Sequence, residues 1–103
     1  MKLSVYTIFD EKAMVYNKPF FLLNDDVCHR TMLDLVNNPE TDIAKHPEDF
    51  ILFKIGEYDD GTGVITNIPN AKTMYRFIDI QNQNEPEVKL TPAGEKYLQE
   101  AKS

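Results

Sequence analysis

The sequence predicts an α+β fold: a small antiparallel sheet of four to five strands, one main helix between strands two and three, and a C-terminal helix. Three observations predict it. Runs rich in branched and aromatic residues stand near the N-terminus and again in the second half of the chain. One segment between them carries apolar residues at helical spacing. The later runs are joined by short turn-forming stretches, which suits strands that return antiparallel to one another.

Leu3, Val5, Thr7 and Phe9 alternate with Ser4, Tyr6 and Ile8, a period of two that defines the first strand. Asp10-Glu11-Lys12 is polar enough to turn the chain. Ala13 to Leu23 reads as the second strand, with Pro19 placing its latter half at an edge or bend.

Asn24-Asp25-Asp26 opens the main helix. Asn24 caps it, and the two aspartates complement the positive end of the helix dipole. Cys28, Met32, Leu35 and Val36 form its apolar stripe, and Asn37-Asn38-Pro39 stops it. Thr41 or Asp42 caps a short helical turn through Ile43 and Ala44. His46 ends that turn, because the residue before Pro47 is pushed out of the α region.

Phe50 to Tyr58 is the most strand-like segment of the chain. Asp59-Asp60-Gly61-Thr62-Gly63 supplies hairpin chemistry, and Val64 to Ile68 returns. Pro69-Asn70 signals another turn, and Lys72 to Ile80 reads as a further strand. Gln81 to Glu87 is a polar linker, and Thr91-Pro92 marks the cap and first position of a last helix ending near Lys102. The expected organisation is one α+β domain over residues 1–80. Residues 81–103 form a linker and helix that pack on it or extend it.

The length of 103 residues suits one domain, and 42% hydrophobic content supports a core. No stretch approaches the roughly 20 apolar residues of a membrane helix, so no membrane contact is expected. The N-terminus lacks the apolar run and cleavage site of a secretory signal, and an intracellular protein is the expectation. A net charge of −6 gives no bulk attraction to phosphates, so nucleic-acid contact would need a local basic face.

The stretch KHPEDF invites a catalytic reading that does not hold. A zinc deaminase needs its H-x-E followed by P-C-x-x-C, but the single cysteine, Cys28, precedes His46. His46, Glu48 and Asp49 offer nitrogen and oxygen ligands, yet neighbours in a turn seldom converge on one ion. Phosphate-loop, dinucleotide and zinc-protease motifs are absent, and Ser4 and Ser103 are the only serines. The economical reading is a joint: Pro47 ends one helical segment, an acid caps the turn, and Phe50 enters the core. Glu57, Asp59 and Asp60 similarly read as a solvated hairpin tip, because the calcium-loop spacing is missing. No enzyme activity, cofactor or metal is expected.

Basic and aromatic residues interleave at Lys18-Pro19-Phe20-Phe21 and at Lys72-Thr73-Met74-Tyr75-Arg76-Phe77. Single-stranded nucleic acid is held by aromatic faces under bases and cations along phosphates. On a strand, Tyr75 and Phe77 share one face while Arg76 points to the other, so the second run alone builds no platform. Core packing accounts for its aromatics more simply. Lys18, Phe20, Arg30, Lys54, Tyr75 and Arg76 are the candidate nucleic-acid contacts.

Several segments carry a resemblance: Phe9-Asp10 with Lys12-Ala13, Pro19-Phe20-Phe21, Asn24-Asp25, Arg30 and Asp34. The strongest are His46-Pro47-Glu48-Asp49-Phe50, Leu52-Phe53, Ile55-Gly56-Glu57 and Asp59-Asp60. Together, over roughly residues 3–63, they resemble the small nonstructural protein family of gokushovirus-type microviruses, phages with circular single-stranded DNA genomes. The resemblance implies a non-enzymatic bacteriophage (Microviridae) protein of the bacterial host cytoplasm. It would assist viral single-stranded DNA replication or packaging by binding DNA. The alternative is an adaptor that contacts phage replication or procapsid proteins without touching DNA. A homodimer is a further expectation, since pairing edge strands covers unsatisfied backbone groups.

Overall fold

The computed structural model describes residues 1–81; the expected linker beyond Gln81 and the expected last helix lie outside the described residues. Strand β1 (Lys2–Asp10) is the hub, pairing antiparallel with β2 (Val15–Tyr16), β3 (Phe20–Leu22) and β4 (Phe50–Asp59). Strand β5 (Val64–Arg76) pairs with the far side of β4, completing a five-stranded sheet. The helices are α1 (Asp25–Asn37), α2 (Asp42–Lys45) and α3 (Phe77–Ile80). The expected α+β class is what the chain adopts.

Local chemistry explains most boundaries. The Asp10 carboxylate accepts the N–H groups of Lys12 (3.0 Å) and Ala13 (3.1 Å), folding the chain back from β1. Strands β2 and β3 are the expected second strand in two pieces, broken at Asn17-Lys18-Pro19 on the sheet edge. The break is tied down where Asn17 N–H donates to the Ile8 carbonyl and the Thr7 hydroxyl donates to the Asn17 carbonyl, both at 2.8 Å.

The Asn24 side chain caps α1 by accepting the Val27 N–H at 2.9 Å. Thr41 caps α2 in the same way through Ala44 N–H, at 3.0 Å. A 3₁₀ turn (Pro47–Asp49) then feeds β4, with buried Pro47 at its first position. At the hairpin tip the Asp59 carboxylate accepts the Gly61 N–H (2.9 Å), and Gly63 takes a φ of 75°.

Two expectations are corrected. Pro69-Asn70 does not divide two strands, because β5 runs unbroken through it. Lys54 pairs with Lys72 and Gly56 with Asn67, so residues 68–71 bulge opposite Ile55. The turn signal is spent on a bulge, since both flanking segments find partners on the same strand β4. The final expected strand, Lys72 to Ile80, is strand only to Arg76, and Phe77–Ile80 coils into α3. Phe77 and Ile80 stand three apart, so one helical turn buries both, which an alternating strand could not do.

The core lies between the helices and one face of the sheet. Tyr6, Ile8, Phe50 and Leu52 from the strands meet Cys28, Met32, Val36, Ile43, Phe77 and Ile80. Each described helix contributes buried residues to this cluster, on one side of the sheet. Tyr6, Leu52 and Phe77 are fully buried, each contributing on the order of 1.5–3 kcal/mol of burial energy.

Candidate binding face of the sheet

Cross-strand partners project to the same side of a sheet, so the register fixes the two faces. Tyr6 pairs with Phe20 and Lys54, Ile8 with Leu52, and these belong to the helix side. Phe9 pairs with Tyr16 and Ile51, Thr7 with Phe53, Val5 with Phe21 and Gly56, and Leu3 with Tyr58. This second row makes the opposite face.

That face is apolar and rich in rings. Tyr16 contacts Phe9 (centroids 4.5 Å apart) and meets Phe53 edge-on at 5.9 Å. A second pair, Phe21 and Tyr58, stands at 5.5 Å, also edge to face. Tyr16 is 58% exposed, Phe21 41% and Ile65, the partner of Tyr58, 56%. Between the ring pairs lies a shallow hollow of about 320 Å³ lined by Thr7, Tyr16, Asn17, Pro19, Ile55 and Ala71. It sits where three irregularities meet: the edge break at residues 17–19, the bulged Ile55, and the bulge of β5. Rings presented edge and face toward solvent, with no carboxylate in the row, can take a flat apolar group such as a base.

The six residues singled out from the sequence do not share one surface. Lys54 lies on the helix side, with its ammonium 3.2 Å from the Asp25 carboxylate. The Tyr6 hydroxyl donates to the same oxygen. The Asp25 carboxyl is held below its ordinary range, first by that hydroxyl and then by Lys54. Phe20 stacks on Tyr6 at 5.8 Å, half-buried against the core. Tyr75 is likewise half-buried, edge-on to His29 (5.6 Å) and Phe77 (6.1 Å), and burial raises its phenol. Arg76 pairs with Ile51 on the opposite face, binding the Glu11 carboxylate and the Glu48 carbonyl (3.0 Å). Lys18 and Arg30 are exposed, on the edge break and on α1.

Sequence reasoning missed Phe9, Tyr16, Phe53 and Tyr58 as surface groups, and named Phe21 only in passing. The available signal was in β1. Both its rows, Ser4-Tyr6-Ile8 and Leu3-Val5-Thr7-Phe9, are apolar or small, so helices on one side leave an apolar face on the other.

The KHPEDF stretch is a joint. Asp49 accepts the Glu11 N–H at 2.8 Å, the Glu48 carbonyl accepts Arg76, and the Phe50 N–H bonds the Pro47 carbonyl. Ligand atoms of His46, Glu48 and Asp49 do come within 4.8 Å of one another, closer than expected for neighbours in a turn. The His46 and Glu48 side chains are 63% and 59% exposed, an ordinary setting for solvated charges. Burial pushes the Cys28 thiol up to about 11, as befits a core residue.

Fold and face together define a small α+β protein whose described helices lie on one side of the sheet and leave its aromatic surface open. The chain belongs to the phage ORF5 protein family, whose family model matches residues 3–80. It is a phage protein. Neither the curated proteins nor the solved structures give a match. Among the described residues, no helix is long and apolar enough to cross a membrane.

Proposed function

We propose that this phage protein works by binding rather than catalysis, in the synthesis or packaging of the single-stranded DNA genome of a gokushovirus-type microvirus. Its place of action is the host cytoplasm. The face of the sheet that the described helices leave open is the contact surface, with Tyr16 and Phe21 as the exposed rings. The observation that carries the reading is the row of five aromatics, Phe9, Tyr16, Phe21, Phe53 and Tyr58, on the side the described helices leave open. Base stacking on such rings contributes about 1–3 kcal/mol per base.

Fluorescence anisotropy with a labelled single-stranded oligonucleotide tests this at two salt concentrations. Tyr16→Ala and Phe21→Ala should each weaken binding by roughly tenfold, the lower end of that stacking range. Absence of binding at low salt, or affinity unchanged in both variants, removes DNA from the reading.

A second reading is favoured by the charges. The net charge is −6, and Lys54 and Arg76 are already engaged by carboxylates. On this reading the same face docks a phage replication or procapsid protein, and the chain is an adaptor. Phage growth lost in Tyr16→Ala while the unmodified protein ignores DNA would select it.

A further inference from the structure

The two edges of the sheet are built differently. One is made of β2 and β3, two and three residues long and separated at Asn17-Lys18-Pro19, and such short, broken strands give an incoming strand little to pair with. The other is β5, which closes the strand order, and no described strand pairs with its outer side. From Val64 to Ala71 this strand carries no charged residue (VITNIPNA). Val64 through Asn67 are exposed, Val64 and Ile65 each by more than half.

Local geometry limits where this edge can be extended. Gly63, at positive φ, ends the hairpin turn on one side, and Pro69, which has no N–H, stands in the bulge on the other. Between them lie Val64 to Ile68, with Thr66 at the midpoint. The Thr66 carbonyl points toward β4, since a Cβ at Gly56 would stand 2.6 Å from its oxygen. Ile65 and Asn67 therefore turn their N–H and C=O groups outward, because these groups alternate from side to side along a strand.

Charges of opposite sign stand beyond the two ends. Asp59 and Asp60 are at the hairpin tip, where Asp60 binds the chain's own N-terminal ammonium at 3.0 Å and stays 48% exposed. Lys72 follows the bulge, is exposed, and holds no salt bridge among the described residues.

We propose that two copies of this chain pair antiparallel along β5, about a twofold axis at Thr66. Ile65 of one protomer and Asn67 of its partner then exchange backbone hydrogen bonds. The two Thr66 residues meet at a non-hydrogen-bonded position, their Cα atoms about 4.5 Å apart. Counting outward from the axis, Lys72 of each protomer comes to the Asp59-Asp60 tip of the other, whereas parallel pairing would set like ends together. The Glu57 carboxylates, beside Thr66 on β4, stay three strand spacings apart, about 14 Å, beyond the screening length of about 8 Å at physiological salt. The axis is perpendicular to the sheet, so the two sheets join into one with both aromatic faces on the same side. The pairing does not depend on what those faces bind.

Sedimentation equilibrium of the full chain tests it. The mass should rise with concentration from one chain to two and stop there. Thr66→Lys sets two ammonium groups together at the axis and should weaken association by at least about tenfold. Lys72→Glu should also weaken it, and adding Asp60→Lys should restore it by exchanging the two charges. Circular dichroism should show the fold kept in each variant. A single-chain mass up to hundreds of micromolar overturns the proposal, as does a mass that climbs past two chains. Association that Thr66→Lys leaves unchanged puts the contact on another edge and also overturns it. Failure of Asp60→Lys to restore the Lys72→Glu protein rules out the antiparallel register.

Discussion

The Tyr6 hydroxyl on β1 donates to the Asp25 carboxylate at the start of α1, joining strand to helix across 19 positions of sequence. Lys54 of β4 completes the group at 3.2 Å. One carboxylate therefore fixes the first turn of the main helix over two adjacent strands, while itself complementing the helix dipole.

Tyr6→Phe should lower stability by about 1 kcal/mol, toward the low end for a bond to a charged group because Asp25 is partly exposed. The loss should depend on pH. A carboxyl depressed in the folded state stabilises above its ordinary value of 3.8, and that contribution disappears as pH falls through the lower native value. Urea melts of both proteins should diverge at neutral pH and converge in strong acid. A constant gap across that range would remove the carboxylate from the account.

Alkali should act in the opposite sense. Burial raises the Tyr6 phenol, the Asp25 hydrogen bond adds to this, and burial likewise raises Tyr75. Both groups favour the folded state fully below the ordinary tyrosine value of 10.0 and lose that effect as pH climbs through their native values. A spectrophotometric titration should show Tyr6 and Tyr75 ionising only as the protein unfolds. Ionisation of both while the fold persists would contradict this.

Gly56 allows β4 and β5 to approach. A Cβ there would stand 2.6 Å from the Thr66 carbonyl oxygen, a backbone atom that cannot swing aside. Gly56→Ala should cost about 1–3 kcal/mol, the usual range for forced overpacking. Thermal melts would measure it. Exchange of the Thr66 and Asn67 amides, opposite the site in the ladder, should accelerate more than that of β1.

Lys54→Ala and Arg76→Ala should weaken the fold more than any contact with DNA. The first leaves Asp25 with Tyr6 as its remaining described side-chain partner, and the second frees both Glu11 and the Glu48 carbonyl. Both variants should melt lower yet bind an oligonucleotide better than Tyr16→Ala. An Arg76→Ala protein with normal melting and abolished binding would restore arginine to the contact surface.

Cys28 should resist thiol reagents. Its side chain is 1% exposed, and burial lifts the thiol to about 11, so little thiolate exists at neutral pH. Modification rate should follow the unfolded fraction as urea is raised. Fast labelling of the folded protein would point to an opening near α1.

Local chemistry made much of the fold readable in advance. Asn24 and Thr41 announce their helices because a side-chain oxygen can satisfy an N–H that the helix leaves open. The glycines at 61 and 63 announce the hairpin for similar local reasons. What stayed hidden was decided at long range. Pro69-Asn70 has turn chemistry, but whether the chain reverses or bulges depends on Lys72 finding Lys54 across the sheet. Phe77 turns helical because the core beneath α1 has room for it and Ile80 together. Alternation reports that a strand has two faces. It does not report which one the helices cover, and so the basic-aromatic runs drew attention to Phe20 and Tyr75, which serve the core, rather than to Tyr16 and Phe53.

Ile55 is mismatched on both flanks at once: β1 skips it between Val5 and Tyr6, and β5 throws four residues around it. For β4 to slide by a single step, both irregularities would have to migrate in concert, and every ring on the two sides would trade places. The kink therefore works as a detent. A sheet apolar on both sides, which could otherwise creep between near-equivalent alignments, has one position in which it clicks home.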